Sequence, residues 1–244
     1  MISEFPLLVF TVLTGLAAGG YAMAALFQLA GGRKERNWLF PLLCLVCLAV
    51  GMVAVLFHLG HPEQFLNALA NPTAMIAQEA YWSIPLGIVL LLDAVLLKLG
   101  RGQGPVLPVV GAVLSLGLMT VTAIAYFTSY GVAGWPEVPT ILLFVVGDLA
   151  MGAAFAAAFN GDDRRGVAVT VLVLCAAFAL SMVFAPFPVG ALPFAVAAVL
   201  SVAAAAAGAV APGKKQQAPW LCWIAFACVL AAVVIARYGF YAAV

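Results

Sequence analysis

Eight uninterrupted apolar runs decide the fold class of this 244-residue chain. They cover roughly residues 5–30, 38–60, 79–99, 105–129, 139–160, 166–186, 189–211 and 219–242. A helix of about 20 residues crosses the roughly 30 Å hydrocarbon core of a bilayer. The runs lack the alternation of barrel strands, and open strands cannot satisfy their backbone in lipid. Only 8% of the residues are charged, where soluble domains carry about 25%. The expected fold is therefore all-α: a polytopic bundle of eight transmembrane helices, one integral membrane domain over residues 1–244, with no room for a soluble domain. The opening "MISEF" has an acid and no basic stretch, so no cleavable signal peptide is expected. A net charge of +1 argues against nucleic acid as a partner; the partner on most sides is membrane lipid.

The basic residues orient the bundle. Arg33, Lys34 and Arg36 lie in the first connection, Lys98 and Arg101 in the third, Arg164 and Arg165 in the fifth, and Lys214 and Lys215 in the seventh. The even-numbered connections carry none. By the positive-inside rule the odd connections are cytoplasmic. Both termini then lie on the opposite, periplasmic face of a cytoplasmic membrane. The exception is Arg237, inside the last run, about 10 Å back from the chain end at about 1.5 Å per residue.

Cysteine and histidine usage limits the redox chemistry. Cys44, Cys47, Cys175, Cys222 and Cys228 all fall inside apolar runs. Cys44-x-x-Cys47 has no second pair to complete the four ligands of a zinc or iron–sulfur site. The only histidines, His58 and His61, are three residues apart near one surface and cannot bracket one haem. No metal and no haem are expected in this chain.

Each ionisable group at membrane depth needs a partner or a purpose. Five stand out: His58, Glu79, Asp93, Asp148 and Arg237. His58 begins the stretch "HLGHPEQFLNALANP", in which Gly60 reads as a helix stop. Pro62 and Asn71-Pro72 bracket a short interfacial helix with Phe65, Leu66 and Leu69 on one side. Glu79 opens the third run on the same face, and Arg237 approaches that face within the eighth. A base, a carboxylate and a guanidinium thus come to similar depth, with Tyr81, Trp82, Phe240 and Tyr241 beside them. Interfacial anchoring explains the aromatics on its own. The residue set also suits quinol oxidation, which removes two electrons and two protons within an apolar cleft. His58 takes a proton at neutral pH, Glu79 passes one outward, and Arg237 holds a carboxylate or a developing quinolate. His61 reads as a surface residue. Asp93 and Asp148 read as structural pairs, with a part in a proton path as the alternative. Gly15-x-x-x-Gly19 and the alanine-rich fifth and seventh runs predict close helix approach within one bundle. Pro85 and Pro186 are candidate bends.

Four segments resemble the dimethyl sulfoxide reductase membrane-anchor family. They are "EFPLLVFTVLTGLAAGG", "HLGHPEQFLNAL", "QEAYWSIP" and "ARYGFY". The related polysulfide and nitrite reductase anchors share a similar Leu-Gly-x-Pro turn, but typically carry an acid where His58 stands. The resemblance implies an anchor in a bacterial or archaeal cytoplasmic membrane that lacks haem and binds menaquinol. It implies electron transfer to a four-cluster ferredoxin-like iron–sulfur subunit, which feeds a molybdopterin catalytic subunit. By the match, His58 and Glu79 take the family's quinol-site roles. Trp82, Arg237 and Tyr241 complete the expected quinol-binding set, the part of Arg237 being inferred from its chemistry. Two other readings remain: a proton-translocating relative using Asp148 and Asp93, and a purely structural anchor.

Overall fold

The computed structural model describes residues 4–31, 37–59, 61, 63, 65–101, 104–161, 164–184, 191–210 and 220–242. Every regular element among them is helical. In chain order these are α1 (Phe5–Leu29), α2 (Leu39–Leu56), α3 (Phe65–Leu69), α4 (Met75–Lys98), α5 (Val106–Phe127), α6 (Val138–Ile141), a π-helical turn (Leu142–Val146), α7 (Gly147–Asn160), α8 (Arg165–Val183), α9 (Leu192–Val210) and α10 (Trp220–Tyr241). Eight stretches are long and apolar enough to cross a membrane, with α6, the π turn and α7 forming one of them. This is a multi-pass membrane bundle.

Two stretches are central. Of their apolar windows, 78% is buried in α1 and 72% in Val138–Asn160, against 33–44% in the other six. On one side α2 and α5 pack on α1, with α4 against both of them; on the other α8 and α10 pack on α7, with α9 against both of them. The outward faces carry Val50, Val53, Ile88, Leu92, Val113, Val173 and Val199, all exposed, as lipid contact requires. Between apolar helices and apolar lipid little hydrophobic force remains, so close packing must hold the halves together.

The seam between α1 and α7 is built on missing side chains. A Cβ on Gly19 would strike the Asp148 carbonyl oxygen, and one on Gly152 would strike the Gly19 backbone. The expected use of Gly15-x-x-x-Gly19 for close approach inside one bundle is what the structure contains. Gly15 serves a polar neighbour: a Cβ there would meet the Asp148 carboxylate.

Two boundaries differ from the sequence reading. The third span starts at Met75, not 79, because Asn71 organises the preceding turn. Its Oδ1 accepts bonds from the Thr73 amide (3.2 Å) and hydroxyl (2.7 Å), and Gln78 Nε2 reaches back to the Pro72 carbonyl. Glu79 therefore lies in the second turn of α4 rather than at its opening. The second span ends at Leu56, leaving His58 in the turn beyond it. Pro85 sits within a continuous α4. Gly60, Pro62 and Pro186 lie outside the described residues.

The two ends of the bundle differ in charge. Lys98, Arg101, Arg164 and Arg165 belong to the end away from Glu4 and His58. There Arg164 donates to the Phe27 carbonyl at 2.7 Å and the Ala30 carbonyl at 2.9 Å. These acceptors are in the C-terminal turn of α1, where a cation complements the helix dipole. Lys98 lies over the Trp38 ring, 4.9 Å from its centroid.

Candidate functional site

At the end of the bundle where α1 begins and α10 finishes, His58 Nδ1 lies 3.0 Å from Glu4 Oε2. The imidazole side chain is 41% exposed and the carboxylate 16%. Glu4 precedes α1 and is held there by the start of the helix, whose Leu8 amide donates to its carbonyl. Sequence reasoning missed this partnership. The signal was present, because Glu4 heads the "EFP" segment, but no spacing rule links residue 4 to residue 58. His61 pairs with Glu63 at 2.9 Å, both well exposed, as a surface role predicts.

Glu79 is buried. Its carboxylate lies on the side of α4 that faces Thr122 of α5 and the Tyr126 and Tyr241 hydroxyls. The two phenol rings meet edge-on with 5.5 Å between centroids, and Tyr241 donates to Thr11 Oγ1 at 3.3 Å. Rings close this polar group off. Tyr126 stacks on Phe144 at 4.7 Å and meets Trp135, Phe240 and Tyr241 edge-on. Trp135 stacks on Phe240 at 4.7 Å and donates Nε1–H to the Phe240 carbonyl. Gly134 precedes it at φ +85°, a left-handed turn that folds the α5–α6 connection back over the ring cluster. Thr11, Thr122, Tyr126, Trp135 and Phe144 are not legible as a group in the sequence, because each looks like an ordinary span or loop residue.

Arg237 is fully buried and bonded through Nη2 to Asp148 Oδ1 at 2.6 Å. Its direction follows from helix geometry. Side chains lean toward the N-terminus of their helix, and α10 ends at the Glu4–His58 face, so Arg237 reaches inward. Its guanidinium also lies over Phe144, 4.6 Å from the ring centroid. Phe144 belongs to the π turn, a wide helical coil common at functional positions, which directly precedes α7 and its Asp148. Asp93, also fully buried, accepts a bond from the Tyr21 hydroxyl at 2.8 Å.

The remaining predicted site residues divide. Tyr241 joins the Glu79 group. Trp82 turns toward α5, where a side chain at Gly117 would strike its indole. Tyr81 is exposed and donates its hydroxyl to the Leu69 carbonyl, fastening α3 to α4. Among the described residues, the polar partner of His58 is Glu4, and that of Arg237 is Asp148.

A cavity of about 330 Å³ lies between α2 and α4, with Phe65 of α3 at its end. Leu45, Leu48, Met52, Leu56, Ile84 and Ser83 line it. Ile84 and Val53 are half-exposed to the lipid side. His58 follows Leu56 by two residues. Ser83 lies one turn from Glu79 on α4, about 40° round the helix, and donates its hydroxyl to the Glu79 carbonyl at 2.7 Å.

The family model for the DMSO reductase anchor subunit (DmsC) matches residues 1–238. The chain belongs to that family. No curated protein matches the chain. The membership agrees with the resemblance read from the four segments. It implies that this DmsC-family anchor associates with a DMSO reductase complex in a membrane.

Proposed function

We propose that the chain oxidises a quinol, menaquinol by the family resemblance, at the Glu4–His58 end. The electrons pass to an iron–sulfur subunit, and from there to a molybdopterin catalytic subunit. The observation that carries the reading is the α2–α4 cavity. Its volume falls in the usual range for small-molecule sites of about 300–1,000 Å³. It is apolar and borders lipid; Leu56 of its lining lies two residues before His58, and Ser83 lies one helical turn from Glu79.

The chemistry balances with these two groups. A quinol loses two electrons and two protons to become a quinone. The electrons leave to the iron–sulfur partner, and the protons go to His58 and Glu79. Glu4 stands against Nδ1 at ion-pair distance, and a proton carried on that nitrogen leaves Nε2 as the acceptor for a quinol hydroxyl. Arg237 acts at one remove, since Asp148 holds its guanidinium inside the bundle. The bias of basic residues toward the other end favours a periplasmic position for this site, with the iron–sulfur partner docking on that side.

The test is His58→Ala in the assembled complex. Loss of a positioned acid–base group lowers turnover about 10²-fold or more. Quinol-dependent reduction should fall by that factor while the amount of assembled complex is unchanged. Unaltered quinol turnover would overturn the reading in favour of a purely structural anchor.

A further inference from the structure

Gly87 of α4 is a glycine that packing does not require. Among the described residues, every other glycine more than one turn from the end of its span would place a Cβ within 3.1 Å of a neighbour. The neighbour is backbone at Gly19 and Gly152, and a ring at Gly111 and Gly117. At Gly87 a Cβ would meet Leu48 Cδ2 at 3.7 Å and Leu45 Cδ1 at 3.8 Å, ordinary contact distances. An alanine would fit there, and glycine in a helix interior costs about 0.5–1 kcal/mol relative to alanine. What the glycine leaves is space. Gly87 lines the α2–α4 cavity together with Leu45 and Leu48, so a side chain longer than a methyl group would enter it.

The cavity is long and apolar along its depth. Leu45 and Leu56 both belong to its wall, and their separation on α2 is about 16 Å at about 1.5 Å per residue. Among the described lining side chains only Ser83 carries a polar group, and its hydroxyl is committed to the Glu79 carbonyl. Around Leu45, Leu48 and Gly87 the wall is hydrocarbon. A quinol ring has two opposed hydroxyls. Held at that depth they would lack partners, at about 1–3 kcal/mol each. The ring therefore belongs at the Leu56–Phe65 end, and the deep part suits a hydrocarbon chain. The roof bears on which chain that is. Phe65 of α3 closes the outer end, and Tyr81 fastens α3 to α4 through the Leu69 carbonyl. The headgroup of a phospholipid would have to sit where this roof lies. A quinol needs no such place, because it can enter sideways between α2 and α4, where Val53 and Ile84 open to lipid.

We propose that the α2–α4 cavity holds the isoprenoid tail of the quinol, with the ring at its Leu56–Phe65 mouth, and that Gly87 is the specificity-determining residue that keeps the groove open to the tail. The inference rests on the quinol reading above. It adds the place in the chain where long-tailed and tail-free quinols are told apart. Met52 in the wall is unbranched and adapts to irregular surfaces, which suits the methyl branches of an isoprenoid.

One naphthoquinol ring, supplied with and without an isoprenoid tail, tests it in the assembled complex. The unaltered chain should have the lower KM for the tailed form. Gly87→Leu should raise that KM about tenfold or more, the effect of losing hydrocarbon contacts in an apolar pocket. Its kcat should hold, as loss of binding common to ground and transition states requires. KM for the tail-free quinol should stay within about twofold. Ala49→Leu fills the groove from the α2 wall and should act in the same way, and Gly87→Ala should do less. Thermal unfolding checks each variant; should Gly87→Leu fail to assemble, Ala49→Leu decides. An unchanged KM for the tailed quinol in the filled variants overturns the inference, and the quinol reading stands. So does an equal rise in KM for both substrates, which would put the ring in the groove. Loss of a co-purifying phospholipid on filling, with the tailed-quinol KM unchanged, would assign the groove to an acyl chain and also overturn it. Full turnover of both quinols in His58→Ala would instead overturn the quinol reading itself.

Discussion

Two acid–base pairs stand in this bundle under opposite conditions. Glu4–His58 closes at 3.0 Å at the rim, with the imidazole 41% exposed; Asp148–Arg237 closes at 2.6 Å with the guanidinium fully buried. The rim pair is reached by water and headgroups, which solvate either partner. The core pair is not. A charge left alone there has neither water nor lipid dipoles to stabilise it, so the pair is kept together or not formed at all. One geometry thus serves chemistry at the surface and architecture in the interior. The core pair joins α10 to α7 against Gly15 of α1, where the two halves of the bundle meet.

The largest effect should come from breaking the core pair on one side. Arg237→Met or Asp148→Leu alone leaves an uncompensated buried group, a loss of about 3–5 kcal/mol, seen as a lower thermal transition and reduced assembly. The double variant Asp148→Leu with Arg237→Met should recover most of this loss, because an apolar pair of similar shape needs no partner. A double variant as unstable as either single one would show that the charges themselves are required. Next comes the seam. Gly152→Val drives methyl groups into the Gly19 backbone, and overpacking of this kind costs about 1–3 kcal/mol or more. Gly166→Ala in α8 meets nothing within 4 Å and should be neutral or slightly stabilising. Equal behaviour of the two glycine variants in thermal unfolding would remove the seam from the account.

How far the sequence reveals this contrast depends on the physics involved. The eight spans are legible because length and apolarity alone decide them. The Gly15–Gly19 contact is legible because small residues four apart have one common use in a membrane helix. Arg237, Asp148 and Glu79 stand out as charges where charge is costly, but their pairing does not. The distance from residue 148 to residue 237 is set by how α7 and α10 cross, and by a π turn that no hydrophobic period announces. Sequence alone sets Arg237 beside His58 because both approach one face. The structure sends the arginine inward, as the tilt of side chains on an outward-running helix dictates. The tyrosine hydroxyls and Thr122 are harder still to see. Their residue types fit an apolar span without comment, and only the fold brings four helices to one point.

The smallest expected effect on stability belongs to the rim pair, and it sharpens the contrast most. Glu4→Gln removes a charge from a partly exposed pair, and such pairs are worth about 0–1 kcal/mol. Thermal unfolding should therefore shift by no more than that. Turnover should respond differently. The amide oxygen of the Glu4→Gln variant can still accept from Nδ1, so the tautomer survives, but the charge that stabilises the protonated imidazole is gone. Loss of such an orienting partner costs about 10–100-fold in metal sites of the same design, and here a fall in kcat toward the lower end is expected. Glu4→Ala, which also frees the ring, should fall further. If both variants keep full turnover while His58→Ala does not, the imidazole works without its carboxylate and the rim pair is an anchor for the start of α1. If both lose turnover with unfolding unchanged, the rim and core pairs differ in function as they differ in exposure.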